Sequence, residues 1–193
     1  MNGGMISTEQ IVLIVTAIVV GTLARILTIK EDYFQYPSFP NGYLIHLITG
    51  FVAAALGAVA IPALTTKNFV AVTFLTLAIQ QFRDVRKTER DSLKDLETTE
   101  YAYRGDAYID GIAKTFEARN YFALIVSFAT GLTIQIVDSK STWINIVCGV
   151  VVGLIVFLIV KRFSKGKSVG DIADVKEGKI QVKGSELFVD EFM

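Results

Sequence analysis

The sequence predicts an all-α integral membrane protein, with about five transmembrane helices, a charged cytoplasmic helical loop and a small C-terminal tail patterned like a β-hairpin. Three observations carry this reading. Of the 193 residues, 52% are hydrophobic and the mean hydropathy is +0.48. The apolar residues fall in long blocks rather than at helix or strand period, so whole segments lack the wet face that a soluble element needs. Dense charge separates the blocks, as bilayer thickness demands of a chain that crosses repeatedly.

The first block, 11–29, has the roughly 20 apolar residues that a bilayer core requires, and Ser7, Thr8 and Glu9 supply a cap before it. Residues 1–10 contain no Lys or Arg, so a secretory n-region is missing and this segment is expected to be retained as span one. An aromatic, Pro-bearing connection (Tyr33, Phe34, Tyr36, Pro37, Phe39, Pro40) reads as interfacial. Span two follows at about 43–64. Residues 65–68 suffice only for a tight turn, so span three starts near Phe69 and runs to about 82, continuing as helix into the charged region. Spans four and five are expected near 121–137 and 143–160.

Basic residues set the orientation. The loop 83–120 carries Arg83, Arg86, Lys87, Arg90, Lys94, Arg104, Lys114 and Arg119, and the segment after span five carries Lys161, Arg162, Lys165 and Lys167. The positive-inside bias places both in the cytoplasm and the N-terminus outside the cell membrane. The chain thus divides into a polytopic membrane domain, 1–164, and a cytoplasmic tail, 165–193. In the tail, Lys179 to Lys183 and Glu186 to Val189 flank Gly184-Ser185 at strand period. A lone hairpin is marginal in water, so this segment either docks on the loop or a partner, or frays.

With 19 basic and 19 acidic residues the chain has no net charge, and nothing draws it to nucleic acid. Cys148 is the single cysteine, which excludes an intrachain disulfide and a thiolate metal cluster. With one histidine, His46, a metal site is not expected, and no cofactor motif is present. Arg25 is read as snorkelling to the interface from the end of span one. Gln135 and Asn145 are read as interhelical hydrogen-bonding groups. No carboxylate sits at the middle of a span, which argues against proton-coupled transport, and a small-solute transporter or channel ranks last because the spans are so apolar. Gly149 and Gly153 form a GxxxG pattern, and Gly50, Ala54 and Ala58 a ridge of small residues. Both suit close helix packing, within the fold before a homo-oligomer.

The most informative stretch is 101–121. As a helix it gathers Tyr103, Asp106, Asp110, Lys114, Glu117 and Tyr121 within about 80°, and places Ile109, Ile112, Ala113 and Phe116 opposite. Gly111 within it suggests close backbone packing. On the extension of span three, Arg83, Lys87, Arg90 and Lys94 form a basic stripe about 60° wide. The two helices are expected to pack with this stripe toward Asp106, Asp110 and Glu117, or else to present both stripes to solvent and headgroups. One helical turn also brings Asp106 and Asp110 near enough to share a proton as a catalytic carboxylate pair.

At Tyr108 to Ala113 the sequence reads Tyr-Ile-Asp-Gly-Ile-Ala. It resembles, but for Asp110 in place of Glu, the string that names the YIEGIA family of small polytopic membrane proteins of endospore-forming Firmicutes. The resemblance implies a sporulation role at a bacterial membrane and brings no catalytic residues with it. The leading expectation is therefore a sporulation-associated membrane protein that engages a protein partner through its charged cytoplasmic loop. The alternative is a membrane-embedded hydrolase or peptidase using Asp106 and Asp110.

Overall fold

The computed structural model describes residues 7–32, 40–98, 105–163, 178–184 and 186–189. They form α1 (Thr8–Asp32), α2 (Pro40–Thr65), α3 (Phe69–Glu97), α4 (Asp106–Val137), α5 (Thr142–Phe163), β1 (Ile180–Lys183) and β2 (Glu186–Val189). The chain divides into two compact units, Met1–Val160 and Lys161–Met193.

Local chemistry fixes the helix ends. Ser7 and Gln10 form a reciprocal capping box, in which Gln10 N–H donates to Ser7 Oγ (3.2 Å) and Ser7 N–H to Gln10 Oε1 (3.1 Å). Between α2 and α3 the chain reverses at Lys67, whose φ is 50°, and Asn68 Oδ1 caps α3 by accepting from Ala71 N–H at 3.1 Å. α4 ends at Asp138 in the left-handed conformation. Asn145 then closes the link to α5, accepting from Ser139 N–H and donating to its carbonyl. Asn145 thus serves a turn and not, as expected, a contact between spans.

α1, α2, α4 and α5 are each long and apolar enough to cross a membrane, and lipid-facing side chains such as Val15, Ile48, Val151 and Leu158 are exposed. The chain is a multi-pass membrane protein by these helices. In α3 only Phe69–Gln80 is apolar, roughly 18 Å of helix against a hydrocarbon core of about 30 Å. α4 is continuous from Asp106 to Val137, so the residues expected as a separate loop helix belong to the spanning helix itself.

Internal packing fixes the helix directions. Leu13, Ile61 and Ile134 cluster at one end of the bundle, while Arg25, His46 and Asn120 meet at the other. α2 and α4 are therefore parallel, and α1 is antiparallel to both. Small residues let the backbones approach. A Cβ on Gly21 would lie 2.7 Å from the Ala123 carbonyl oxygen and 2.8 Å from Ala54 Cβ. Ser127 Oγ donates to the Ala54 carbonyl at 2.6 Å, tying α4 to α2. Gly149 abuts Ile134 and Gly153 abuts Thr130 and Val20, so the GxxxG face of α5 is used inside the chain.

In the second unit β1 and β2 pair antiparallel, Ile180 with Val189 and Lys183 with Glu186. The two-residue connection between them starts at Gly184, with φ at 69°, as tight hairpins require.

Candidate functional site

Two polar features stand out. The first is a layer buried where α1, α2 and α4 meet. Arg25 is 0% exposed, and its guanidinium can only donate. Nε donates to Asn120 Oδ1 (3.1 Å) and Nη1 to Thr28 Oγ1 (3.3 Å), while Nη2 lies 3.5 Å from His46 Nδ1. That nitrogen must accept, which leaves the ring proton on Nε2. Phe116 completes the layer, 5.5 Å from the Arg25 guanidinium carbon and 4.5 Å from the His46 ring centroid, edge to face. Gly50 makes room for the arginine stem, which a Cβ there would strike.

These hydrogen-bond partners of Arg25 are neutral. The opposing charge is Glu89 of α3, whose carboxyl is pushed above the ordinary carboxylate range by burial and pulled partly back by Arg25. Asn120 is buried, and its Nδ2 has no hydrogen-bond partner among the described residues. Arg119 beside it is buried as well.

The snorkelling expected of Arg25 does not occur, because the side chain turns inward to acceptors on other helices instead of reaching the interface. Sequence reasoning missed this layer although a signal was present. An ionisable residue inside an apolar segment is by default a packed, functional group, and Thr28, His46 and Asn120 were the acceptors to look for.

The second feature is the charged pair of helices formed by the latter part of α3 and the start of α4. Lys94 Nζ bridges them to Asp106 Oδ1 at 3.0 Å. Asp110 Oδ2 takes Lys114 Nζ of its own helix at 2.9 Å, and Arg90 Nε lies 3.8 Å from Asp91. Each of the two aspartates thus has its own lysine. Lys87 is exposed, Glu117 and Tyr121 are half-buried, Arg83 lies within α3, and Tyr103 falls outside the described residues. The apolar side of this stretch is buried as its period requires, with Ile109, Ala113 and Phe116 all inside.

Gly111 corrects the expectation of close packing, since nothing among the described residues lies within 4 Å of a Cβ built there. Gly111→Ala should therefore stabilise α4 by up to about 1 kcal/mol through helix propensity alone. A thermal shift in detergent checks this, and a fall in melting temperature would contradict it.

The buried polar layer, the lipid-facing helices and the charged extension define a polytopic α-helical membrane protein. More particularly, residues 13–193 match the YIEGIA protein family, and the chain belongs to it. It is 38% identical over 183 residues to the "Uncharacterized protein YphB" of Bacillus subtilis (strain 168), covering 95% of this chain and 59% of that protein. The chain therefore spans less than two thirds of that relative's length. No solved structure matches it.

Proposed function

We propose that this chain is a five-span membrane protein of sporulation, with its N-terminus outside, whose charged α3–α4 pair stands on the cytoplasmic side and docks a protein partner. The continuity of α4 carries the reading. One unbroken helix, Asp106–Val137, anchors in the bundle by its C-terminal part and offers Asp106, Tyr108 and Lys114 to solvent from its start. Rigid elements of this kind hold a recognition face better than a loop does.

Connectivity supports the fifth crossing. α2 ends beside the Leu13–Ile61–Ile134 cluster and α4 begins beyond the opposite end, so α3, joined to both, has to run the height of the bundle. The basic residues of α3 support the cytoplasmic side.

The lysine paired to each aspartate favours docking over shared-proton hydrolysis, and substitution separates the two. Asp106→Asn and Asp110→Asn, in a strain sporulating on this chain alone, should leave at least one variant functional at normal membrane level. Loss of function in both, with folding intact, would turn the reading to chemistry. A photo-crosslinking residue at Lys114 is expected to give a discrete protein adduct in sporulating cells, suppressed by Asp106→Lys. Crosslinks to lipid alone would overturn the docking reading, and reporter fusions placing Arg90 outside the cell would overturn the orientation.

A further inference from the structure

We infer that the end of the bundle opposite the arginine layer holds a binding site for a small zwitterion, one molecule that carries both a primary ammonium and an anionic oxygen group. The site is separate from the α3–α4 pair and stands independently of the docking reading above.

A cavity of about 380 Å³ opens there, a volume within the range of small-molecule sites. It lies where α1 and α5 begin, at Glu9 and Thr142, and where α2 and α4 end, at Thr65 and Asp138. A helix carries partial positive charge at its start and partial negative charge at its end, so ends of both signs meet around one space. The side chains repeat the pattern, since Glu9, Asp138 and Lys140 all line the cavity. Among the described residues none of them is in an ion pair, so charge of both signs is open to a ligand.

Asp138 points most directly to an ammonium. It caps the C-terminus of α4, where an anionic side chain is unfavourable and a cation favourable. An ammonium at this place answers Asp138 and Glu9 together. The anionic group of the same molecule then falls to Lys140 and to the first N–H groups of α5, which a helix cannot satisfy from within. A simple anion would face Glu9 and Asp138, and a simple cation would face Lys140, so the molecule that suits the cavity carries both charges. Its apolar part meets Leu13 and Ile134, which also line the cavity and pack with Ile61 into the bundle. Two sources supply this chemistry, a free amino acid and the headgroup of phosphatidylethanolamine.

The test uses the full chain in detergent and measures binding of radiolabelled L-leucine by scintillation proximity. Unlabelled 4-methylpentanoate and isopentylamine, which lack the ammonium and the carboxylate in turn, should each compete about tenfold or more weakly than leucine, as loss of one charged hydrogen-bonding group predicts. In parallel, native mass spectrometry of the chain in mixed lipid compares retention of phosphatidylethanolamine with that of phosphatidylcholine, whose quaternary ammonium has no hydrogen to donate. Asp138→Asn keeps a residue that accepts the left-handed backbone, and with Lys140→Gln it removes one charge of each sign. Each substitution should weaken the bound species by about tenfold or more, with thermal melting showing both variants folded. Saturable leucine binding lost in both variants would identify a free zwitterion as the source, and selective retention of phosphatidylethanolamine lost in both would identify the lipid. Binding of neither, or binding indifferent to both substitutions, would overturn the site. A truncated competitor as effective as leucine, with no preference between the two lipids, would overturn its zwitterionic character.

Discussion

Gly57→Leu is expected to separate α2 from α4 and destabilise the bundle by about 3 kcal/mol or more, the upper part of the range for overpacked cores. A Cβ at this position would run into the Leu124 carbonyl oxygen and lie 3.1 Å from the Phe128 nitrogen. Both are backbone atoms of a continuous helix, so no rotamer change relieves the clash and the helices must part. The Ser127 hydroxyl then loses the Ala54 carbonyl, a bond worth about 0.6 to 1.7 kcal/mol between spans. Gly57→Ala should give the same change at smaller size. Unfolding in mixed micelles by added denaturing detergent measures both, with Gly111→Ala as the matched control in open space. A Gly57→Leu protein unfolding at the native midpoint would mean that the close approach of α2 and α4 is wrong.

How much of this was legible in the sequence follows from the type of signal. Long apolar runs announce spans because lipid solvates every face of the helix, so α1, α2 and α5 could be read directly. The continuity of α4 was harder to see. The polar start of the helix shows a charged face and an apolar stripe, whereas its lipid-embedded part shows neither, and the change of period at Tyr121 looked like a boundary. α3 inverts the problem. Its apolar part, Phe69–Gln80, is too short to announce a span, and connectivity between the two ends of the bundle supports the crossing better than composition does.

The buried layer was signalled by an arginine inside an apolar run, but the direction in which that charge turns was not readable. Arg25 near a helix end has two ways to satisfy its charge, outward to headgroups or inward to acceptors on other helices. The choice depends on Asn120, 95 residues away in the sequence, and on the space left by Gly50. Neither is a local property. The pairing of charges between α3 and α4 was partly readable, since opposed stripes imply some bridge. Register determined that the bridge is Lys94 with Asp106, one of several pairings that the opposed stripes allowed.

Arg25→Met should cost about 2 to 4 kcal/mol at neutral pH, because buried acceptors lose their charged donor and the half-buried Glu89 loses the positive charge that acts on it. Methionine preserves most of the stem volume against Gly50, so packing contributes little to the loss. What disappears is the donor to Asn120, Thr28 and His46 and the charge that opposes Glu89. The pH dependence separates these two parts. Burial already raises the Glu89 carboxyl, and Arg25 acts against the rise, so removing the arginine raises it further. A carboxyl raised in the folded state contributes stability below its unfolded pKa of about 4.3, and that contribution is lost as pH climbs through the folded value. The variant should therefore be less impaired at pH ~5 than at pH ~8, with a steeper slope than the native chain. Glu89→Gln placed in the Arg25→Met background should flatten that slope and recover part of the stability at pH ~8, leaving the share due to the lost hydrogen bonds. The same loss at both pH values, or no recovery on adding Glu89→Gln, would mean that Glu89 does not balance the buried arginine, and that the neutral acceptors of α1, α2 and α4 hold its charge by themselves.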